Sequence, residues 1–212
     1  MPLLPPLFPK PYFPGMAIDT FIALLVFAFI ATATPGPNNM MLLASGVNFG
    51  FRRTIPHMCG IAGGFFFLLL CVGAGLGALL VSFPTAHVAL KIAGGLYLLY
   101  LAWRIATSGA LGGTGPRSEP MSALGAAMFQ WVNPKAWMMS VSAMAIYSNA
   151  EQPYLSVLLV AATFLLVSFP AISIWAGFGT AMSGFLGNPT RRRSFNMAMG
   201  AVLALCIIPM LQ

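Results

Sequence analysis

The part of this sequence with the most groups that could do chemistry is the stretch "TPGPNN", residues 34–39, inside an otherwise apolar segment. Proline has no backbone N–H, and in a helix its ring clashes with the carbonyl four residues earlier. Pro35 therefore frees the carbonyl of Ala31 from helical hydrogen bonding. A carbonyl oxygen freed in this way suits an ammonium group. Pro37 frees the carbonyl of Ala33 in the same way. In a bilayer such groups must meet protein or water, so the break should not face lipid.

A new helix can begin after Pro37, with Asn38 near its N-cap. The first N–H groups of a helix lack intrahelical partners and carry roughly half a positive charge, which suits a carboxylate. We expect the N–H groups of Asn39, Met40 and Met41 to point at the gap. An amino acid carries both an ammonium and a carboxylate, so the break matches a small zwitterion. The candidate binding residues here are Pro35, Gly36, Pro37, Asn38 and Asn39.

The simpler interpretation of residues 34–39 is a kink that bends the first helix around its neighbours. A single proline would not separate the two interpretations. Two prolines, a glycine and two asparagines in six residues favour a functional break.

The stretch "WVNPKAW", residues 131–137, is a second interruption. Pro134 frees the carbonyl of Gln130. Asn133 can bond to a freed carbonyl, to Lys135 or to a solute. A lysine at the centre of a bilayer costs at least ~2.5–3.5 kcal/mol, so it indicates function by default. Asn133, Pro134 and Lys135 are therefore further candidate binding residues, with Lys135 attracting a carboxylate; the alternative is that Lys135 snorkels into a vestibule as a structural anchor.

Asp19 is the only acidic residue within a predicted span, which makes it the candidate for proton coupling. It lies near the outer end of the first span, so an interfacial position without a coupling role is the alternative. The sequence contains no HExxH or GxSxG motif and no paired aspartates. We therefore expect no catalytic residues, no metal ligands and no cofactor.

The composition places these residues in a bilayer. The chain has 212 residues, of which 59% are hydrophobic and only 6% charged, whereas soluble domains carry about 25% charged residues. The net charge of +7 is too dispersed to indicate a nucleic-acid partner, and the basic residues mostly flank apolar runs beside the membrane lipid. Six regions have roughly the 20 apolar residues that a span requires: from near Met16 through the break, Pro56–Phe83, Thr85–Thr107, Met121–Tyr147, Tyr154–Met182 and Phe195–Gln212.

Positive charges in the connections predict the orientation. Arg52 and Arg53 follow the first span, Arg104 and Arg117 flank or occupy the third connection, and residues 191–193 put three arginines in the fifth. The second and fourth connections carry no basic residue. By the positive-inside rule the first, third and fifth connections are cytoplasmic, so both termini should lie outside.

The chain divides into two halves of three spans. Residues 1–15 contain six prolines and predict a disordered leader, with Met16 as the expected true start. Residues 16–107 form the first half, the Gly/Ser/Pro-rich residues 108–120 a cytoplasmic linker, and residues 121–212 the second half. The halves have opposite orientations, and each opens with an interrupted helix. This pattern predicts an all-α polytopic membrane protein built as an inverted repeat, with the transport site at the paired breaks.

Several stretches of the chain resemble the lysine exporter family of translocators, the LysE/RhtB-type amino-acid efflux proteins. They are "TPGPNNMMLLASG" with "NFGFRR", "LKIAGGLYLLYLAWRI", "FQWVNPKAWMMSVSA" and "RRRSFNMAMGAVLAL". The resemblance runs from about Ala17 to the end of the chain and implies a roughly six-helix bacterial inner-membrane carrier. It implies export of amino acids or close derivatives, driven by the proton gradient as an antiport. The family motifs coincide with residues 35–38 and 133–135.

Other classes of function remain as alternatives. A passive channel or a membrane scaffold protein could have similar helices but needs no paired breaks within the membrane. A membrane-embedded enzyme would need a nucleophile with its base, or a metal cluster, at membrane depth. Homo-oligomers are also compatible with the predicted fold.

Overall fold

The computed structural model describes residues 12–13, 16–107 and 119–208, and this part of the chain is almost entirely helical. The first half contains α1 (Ile18–Ala33), α2 (Pro37–Phe49), α3 (Phe51–Cys71) with a π-helical turn at Val72–Leu76, α4 (Gly77–Ser82) and α5 (Pro84–Ala106). The second contains α6 (Ala123–Phe129) with a 3-10 turn at Gln130–Val132, α7 (Pro134–Tyr147), α8 (Pro153–Met182), a 3-10 turn at Phe185–Gly187, and α9 (Pro189–Leu205).

Most of the predicted leader and linker lie outside the described residues. Tyr12–Phe13 of the leader form β1, which pairs antiparallel with β2 (Met16–Ala17). Only Glu119 and Pro120 of the linker are described. The leader, the division into halves and the orientation of the termini remain predictions.

The helical breaks occur where the prolines predicted them. The chain leaves the helix after Ala33 and re-enters it at Pro37, and the axes of α1 and α2 differ by 59°. In the second half the 3-10 turn ends at Val132 and α7 begins at Pro134, with extended backbone at Asn133 (ψ 110°). Both predicted first helices of the halves are therefore interrupted.

Among the described residues, three helices are long and apolar enough to cross a membrane: Phe51–Leu76, Val88–Ala106 and Pro153–Met182. The bent pair α1 and α2 makes a fourth span if it is counted as one. The chain is thus an all-α polytopic membrane protein. Each of the six predicted regions contains helix, but α9 has only 17 residues and begins with arginines. The count of six spans and the inverted arrangement therefore remain predictions.

Helices from the two halves pack across one another. The first half-helix of each half lies on the long helix of the other, because α1 contacts α8 and α6 contacts α3. α3 also contacts α8, and α5 contacts α9. The α2 segment has its most extensive contact with α8, which holds the first break against the second half.

Glycines allow these helices to approach closely, as the GxxxG spacing of Gly60 and Gly64 predicts. A Cβ added at Gly60 would overlap the carbonyl oxygen of Ala123 in α6, and one at Gly64 would meet the Cα of Ala127. The same holds between α2 and α8, where a Cβ at Gly179 would overlap the carbonyl oxygen of Leu43. Small residues thus set the spacing between the halves.

Replacing Gly60 by alanine should push α6 away from α3 and lower the stability of the protein. The obstacle is rigid backbone, and overpacking costs about 1–3 kcal/mol. The matched control is Gly63→Ala on the same helix, because a Cβ at Gly63 meets nothing within 4 Å. Thermal unfolding of the two purified variants in detergent measures the difference. Equal unfolding temperatures would contradict the close packing of α3 and α6.

Candidate functional site

The two breaks meet through the side chain of Lys135. Lys135 is the second residue of α7, and its backbone N–H is capped by the Asn133 side chain at 3.2 Å. Its ammonium nitrogen Nζ donates to the backbone carbonyl of Thr34 at 2.6 Å and to the Thr34 hydroxyl at 3.0 Å. It also lies 3.3 Å from the carbonyl oxygen of Pro35. The Lys135 ammonium group of the second break therefore occupies hydrogen-bond acceptors of the first break.

A pair of amides joins the breaks at a second place. The Asn38 side chain donates to Oε1 of Gln130 at 2.9 Å, and Gln130 donates back to Oδ1 of Asn38 at 3.2 Å. Gln130 also donates to the carbonyl of Ala126 at 2.8 Å and is fully buried. From the sequence, only the backbone carbonyl of Gln130 was expected to take part. The available signal was a polar amide within an apolar helix, one turn before Pro134.

The predicted open carbonyls are closed by other side chains. The Thr34 hydroxyl donates to the carbonyl of Ala31 at 2.9 Å, and the Trp175 indole donates to that of Ala33 at 3.0 Å. The expectation that these two carbonyls are left without a partner is therefore wrong. A hydroxyl within the break and an indole on α8 reach them first, and the oxygens that receive an ammonium are those of Thr34 and Pro35.

Asn39 stabilises the break itself. Its side-chain amide donates to the carbonyl of Thr32 at 2.8 Å and to that of Thr34 at 2.7 Å. These two carbonyls lie on either side of the point where α1 ends at Ala33. The buried Asn39 thus supplies donors to two carbonyls at the end of α1, and it shares the Thr34 oxygen with Lys135.

The start of α2 lies two residues earlier than predicted. Gly36, not Asn38, is the N-cap, and the N–H of Met40 already donates to the carbonyl of Gly36 at 3.0 Å. Because Pro37 has no N–H, the free donors of this helix end are the backbone N–H groups of Asn38 and Asn39. The predicted free N–H groups of Met40 and Met41 belong to the helix interior, since proline is preferred at the first helical position.

A cavity lies between the breaks. It has about 400 Å³ of empty space and is partly open at the surface of the protein. Five of the predicted residues line it: Gly36, Asn38, Asn39, Asn133 and Lys135. Gln130, Thr32 and Ser168 add further polar groups, and Ile61, Phe65 and Met139 are among its apolar walls. The prolines at positions 35, 37 and 134 are not lining residues; they create the break in the backbone.

Asp19 does not belong to this site. It lies in the first turn of α1 and is exposed. Fourteen residues of helix separate it from the end of α1, which is about 20 Å at 1.5 Å per residue. The structure therefore leaves Asp19 at the far end of the first helix from the break.

The arrangement offers a hydrogen-bonding partner to each of the two charged groups of a zwitterion. The carbonyl oxygens of Thr34 and Pro35 accept hydrogen bonds from an ammonium group, as Lys135 demonstrates. The Lys135 ammonium and the free N–H groups of Asn38 and Asn39 are donors for a carboxylate. All of these groups lie around one cavity.

Replacing Gly36 by alanine should disturb the contact between the breaks without straining the backbone. Gly36 has extended backbone (φ −178°), which any residue adopts. A Cβ there would lie 2.7 Å from Cδ and 3.2 Å from Nζ of Lys135, so the lysine must leave its position. We expect a several-fold loss of transport with nearly unchanged thermal stability, because a flexible side chain yields cheaply. Unchanged transport by Gly36→Ala would show that the position of Lys135 does not matter.

Comparison with known proteins identifies the family. The model of the family described as "LysE type translocator" matches residues 29–208. The chain is 30% identical over 189 residues to the cysteine/O-acetylserine efflux protein of Escherichia coli O139:H28, which covers 88% of this chain and 92% of that protein. Proteins with the same name from Escherichia coli strain K12 and Shigella flexneri serotype 5b match with the same identity and coverage. No solved structure matches the chain. The chain belongs to the LysE type translocator family.

Proposed function

We propose that this protein exports amino acids across the bacterial inner membrane, with the amino acid bound between the breaks at residues 34–39 and 130–135. The observation that carries the proposal is the ammonium group of Lys135 on the carbonyl oxygens of Thr34 and Pro35, in a cavity that Asn38 and Asn39 also line. Membership of the translocator family and the efflux function in the names of the relatives support the direction of transport.

The substrate class follows from the same groups and from the relatives. Cysteine and O-acetylserine are named for proteins that are 30% identical to this chain. Both are small zwitterions with a short polar or polarisable side chain. We propose that this protein carries amino acids of that size, bound by the polar groups that line the break cavity.

In this proposal, substrate binding breaks a contact between the two halves, because one ammonium group replaces another on the carbonyl oxygens of the first break. The ammonium of the substrate replaces that of Lys135 on Thr34 and Pro35. Lys135 then pairs with the substrate carboxylate, together with the N–H groups of Asn38 and Asn39. This exchange removes a direct bond between the two halves, so that the halves can rock and open the site to the other side.

An inward proton flow is the proposed driving force. Among the lining residues of the break cavity, Lys135 is the charged one, and no carboxylate accompanies it. No carboxylate in the wall of the break cavity is therefore available as a proton site. Asp19 remains the proposed candidate, because its exposed position at the predicted outer end of α1 is reachable by protons from outside.

The experiment is counterflow by the purified protein in proteoliposomes. Vesicles loaded with unlabelled cysteine under reducing conditions should accumulate radiolabelled cysteine transiently, with a saturable initial rate. An inward proton gradient should increase export from the vesicles. Flux without saturation or counterflow would indicate a channel, and no flux above empty vesicles for either cysteine or O-acetylserine would contradict the proposal.

A further inference from the structure

A second cavity lies next to the break cavity along the same helices. It has about 560 Å³ of empty space and is lined by α2 from Met41 to Phe49, by His57 of α3, and by Arg104 of α5. On α2 the break cavity ends at Asn39 and the second one starts at Met41. We refer to this second space as the His57 cavity.

Buried apolar side chains pack next to the His57 cavity. Met41 and Phe129 belong to one buried cluster and are 4% and 1% exposed. On α3, His57 lines one cavity and Ile61, one helical turn later, lines the other. A solute in the His57 cavity would thus be one turn of helix away from the helix breaks.

His57 lies in this wall without a hydrogen-bond partner. The side chain is 2% exposed, and within the described part of the chain neither ring nitrogen has a hydrogen-bond partner. Imidazole always has at least one N–H to donate, and buried polar groups in native proteins are hydrogen-bonded with few exceptions. An orphaned buried imidazole in a cavity wall indicates a group that receives its partner from a ligand.

The remaining polar lining fits a zwitterion. Arg104 and Glu119, both exposed, line the cavity and carry opposite charges. The amides and hydroxyls of Asn48 and Ser45 lie on the same wall of α2. Arg104 and Glu119 flank the predicted cytoplasmic linker, so the charged part of the cavity lies on the side from which an exporter takes its substrate.

We propose that the His57 cavity is a second binding site for a small zwitterionic amino acid, occupied before the solute reaches the helix breaks. Arg104 pairs with the carboxylate, Glu119 with the ammonium, and the His57 ring bonds to a polar group of the solute side chain. The proposal rests on the proposed function as an amino-acid exporter and adds a site that the helix breaks do not include.

Thiol protection tests the site directly. Cys59, Cys71 and Cys206 are first replaced by alanine, and Ile105→Cys then places a thiol in the wall of the His57 cavity. O-acetylserine should slow the reaction of this thiol with a small polar maleimide several-fold. The matched control is Leu99→Cys, on the exposed side of the same helix and outside both cavities, whose reaction rate should not change.

Three further variants show which residues the protection depends on. In the Ile105→Cys background, His57→Leu should raise the O-acetylserine concentration for half-protection about three- to tenfold, the loss expected for one hydrogen bond. His57→Gln, which keeps hydrogen-bonding groups, should restore most of it and guards against a folding defect. Lys135→Met should lower transport strongly yet leave protection at position 105 intact.

The outcomes separate this proposal from the proposed function. Absence of protection at position 105 in a protein that still transports cysteine would overturn the second site alone. Loss of protection with Lys135→Met would also overturn it, because the thiol would then report on the breaks. Protection in a protein without any counterflow would support the site and contradict the export function.

Discussion

Replacing Lys135 by methionine should lower the transport efficiency for zwitterionic amino acids about 10- to 100-fold, because hydrogen bonds to a charged group contribute about 1.5–3 kcal/mol. The ammonium group has three acceptors on the first break, the carbonyl oxygens of Thr34 and Pro35 and the Thr34 hydroxyl. Methionine has similar length and no charge, so packing is largely kept. The measurement is kcat/KM for counterflow of radiolabelled cysteine in proteoliposomes.

The matched control is Lys91→Met on α5. Lys91 is also half-buried and lines neither the break cavity nor the His57 cavity. Its loss should leave kcat/KM within about twofold, the range of surface substitutions. Competition by the free amino acid and by its methyl ester then isolates the role of Lys135. If Lys135→Met weakens competition by the ester as much as by the free acid, the lysine does not bind the carboxylate.

Replacing Asn38 by alanine should abolish most transport and destabilise the protein by about 1–3 kcal/mol, the cost of leaving a buried polar group without its partner. The variant leaves Oε1 of the fully buried Gln130 without the 2.9 Å hydrogen bond from Asn38. It also removes one of the two direct links between the breaks. Membrane insertion should be nearly unchanged, because the apolar segments remain.

A double-mutant cycle checks that Asn38 and Gln130 act as one unit. Residues in a shared hydrogen-bond pair give non-additive effects. Thermal unfolding and counterflow of Asn38→Ala, Gln130→Ala and the double variant should therefore show a double loss close to the larger single loss. Additive losses would mean that the amide pair does not link the two breaks.

The sequence predicted the breaks but not which groups close them. Two prolines in one apolar segment and an Asn-Pro-Lys in another define where helical bonds must fail. Which side chains take the freed carbonyls depends on packing between distant segments. Trp175 is 142 residues from Ala33 in the chain, and it reaches that carbonyl only because α8 lies along α1.

Local residue preferences also place the start of α2 two residues too late. Asparagine is a preferred N-cap, which favoured Asn38. Proline at the first helical position competes with that preference and gives the cap to Gly36. Asn38 and Asn39 are instead used for long-range and cross-break hydrogen bonds.

A third interruption lies at the end of α3 and was not predicted. Gly75 has φ +107° inside the π-helical turn Val72–Leu76, a conformation in the region that favours glycine. The segment "GAGLG" is apolar and without proline, so hydropathy makes it look like continuous helix. The second predicted region, Pro56–Phe83, is therefore interrupted at this turn.

The most direct test of the central claim is to locate the bound amino acid between the breaks. In the cysteine-free chain, Met139→Cys places a thiol in the wall of the break cavity, and Met138→Cys places one on the exposed side of the same helix. O-acetylserine should slow maleimide labelling of Met139→Cys several-fold and leave Met138→Cys unchanged. The addition of Lys135→Met should remove that protection. Equal labelling of Met139→Cys with and without the amino acid, in a protein that still catalyses counterflow, would place the substrate elsewhere and contradict the account.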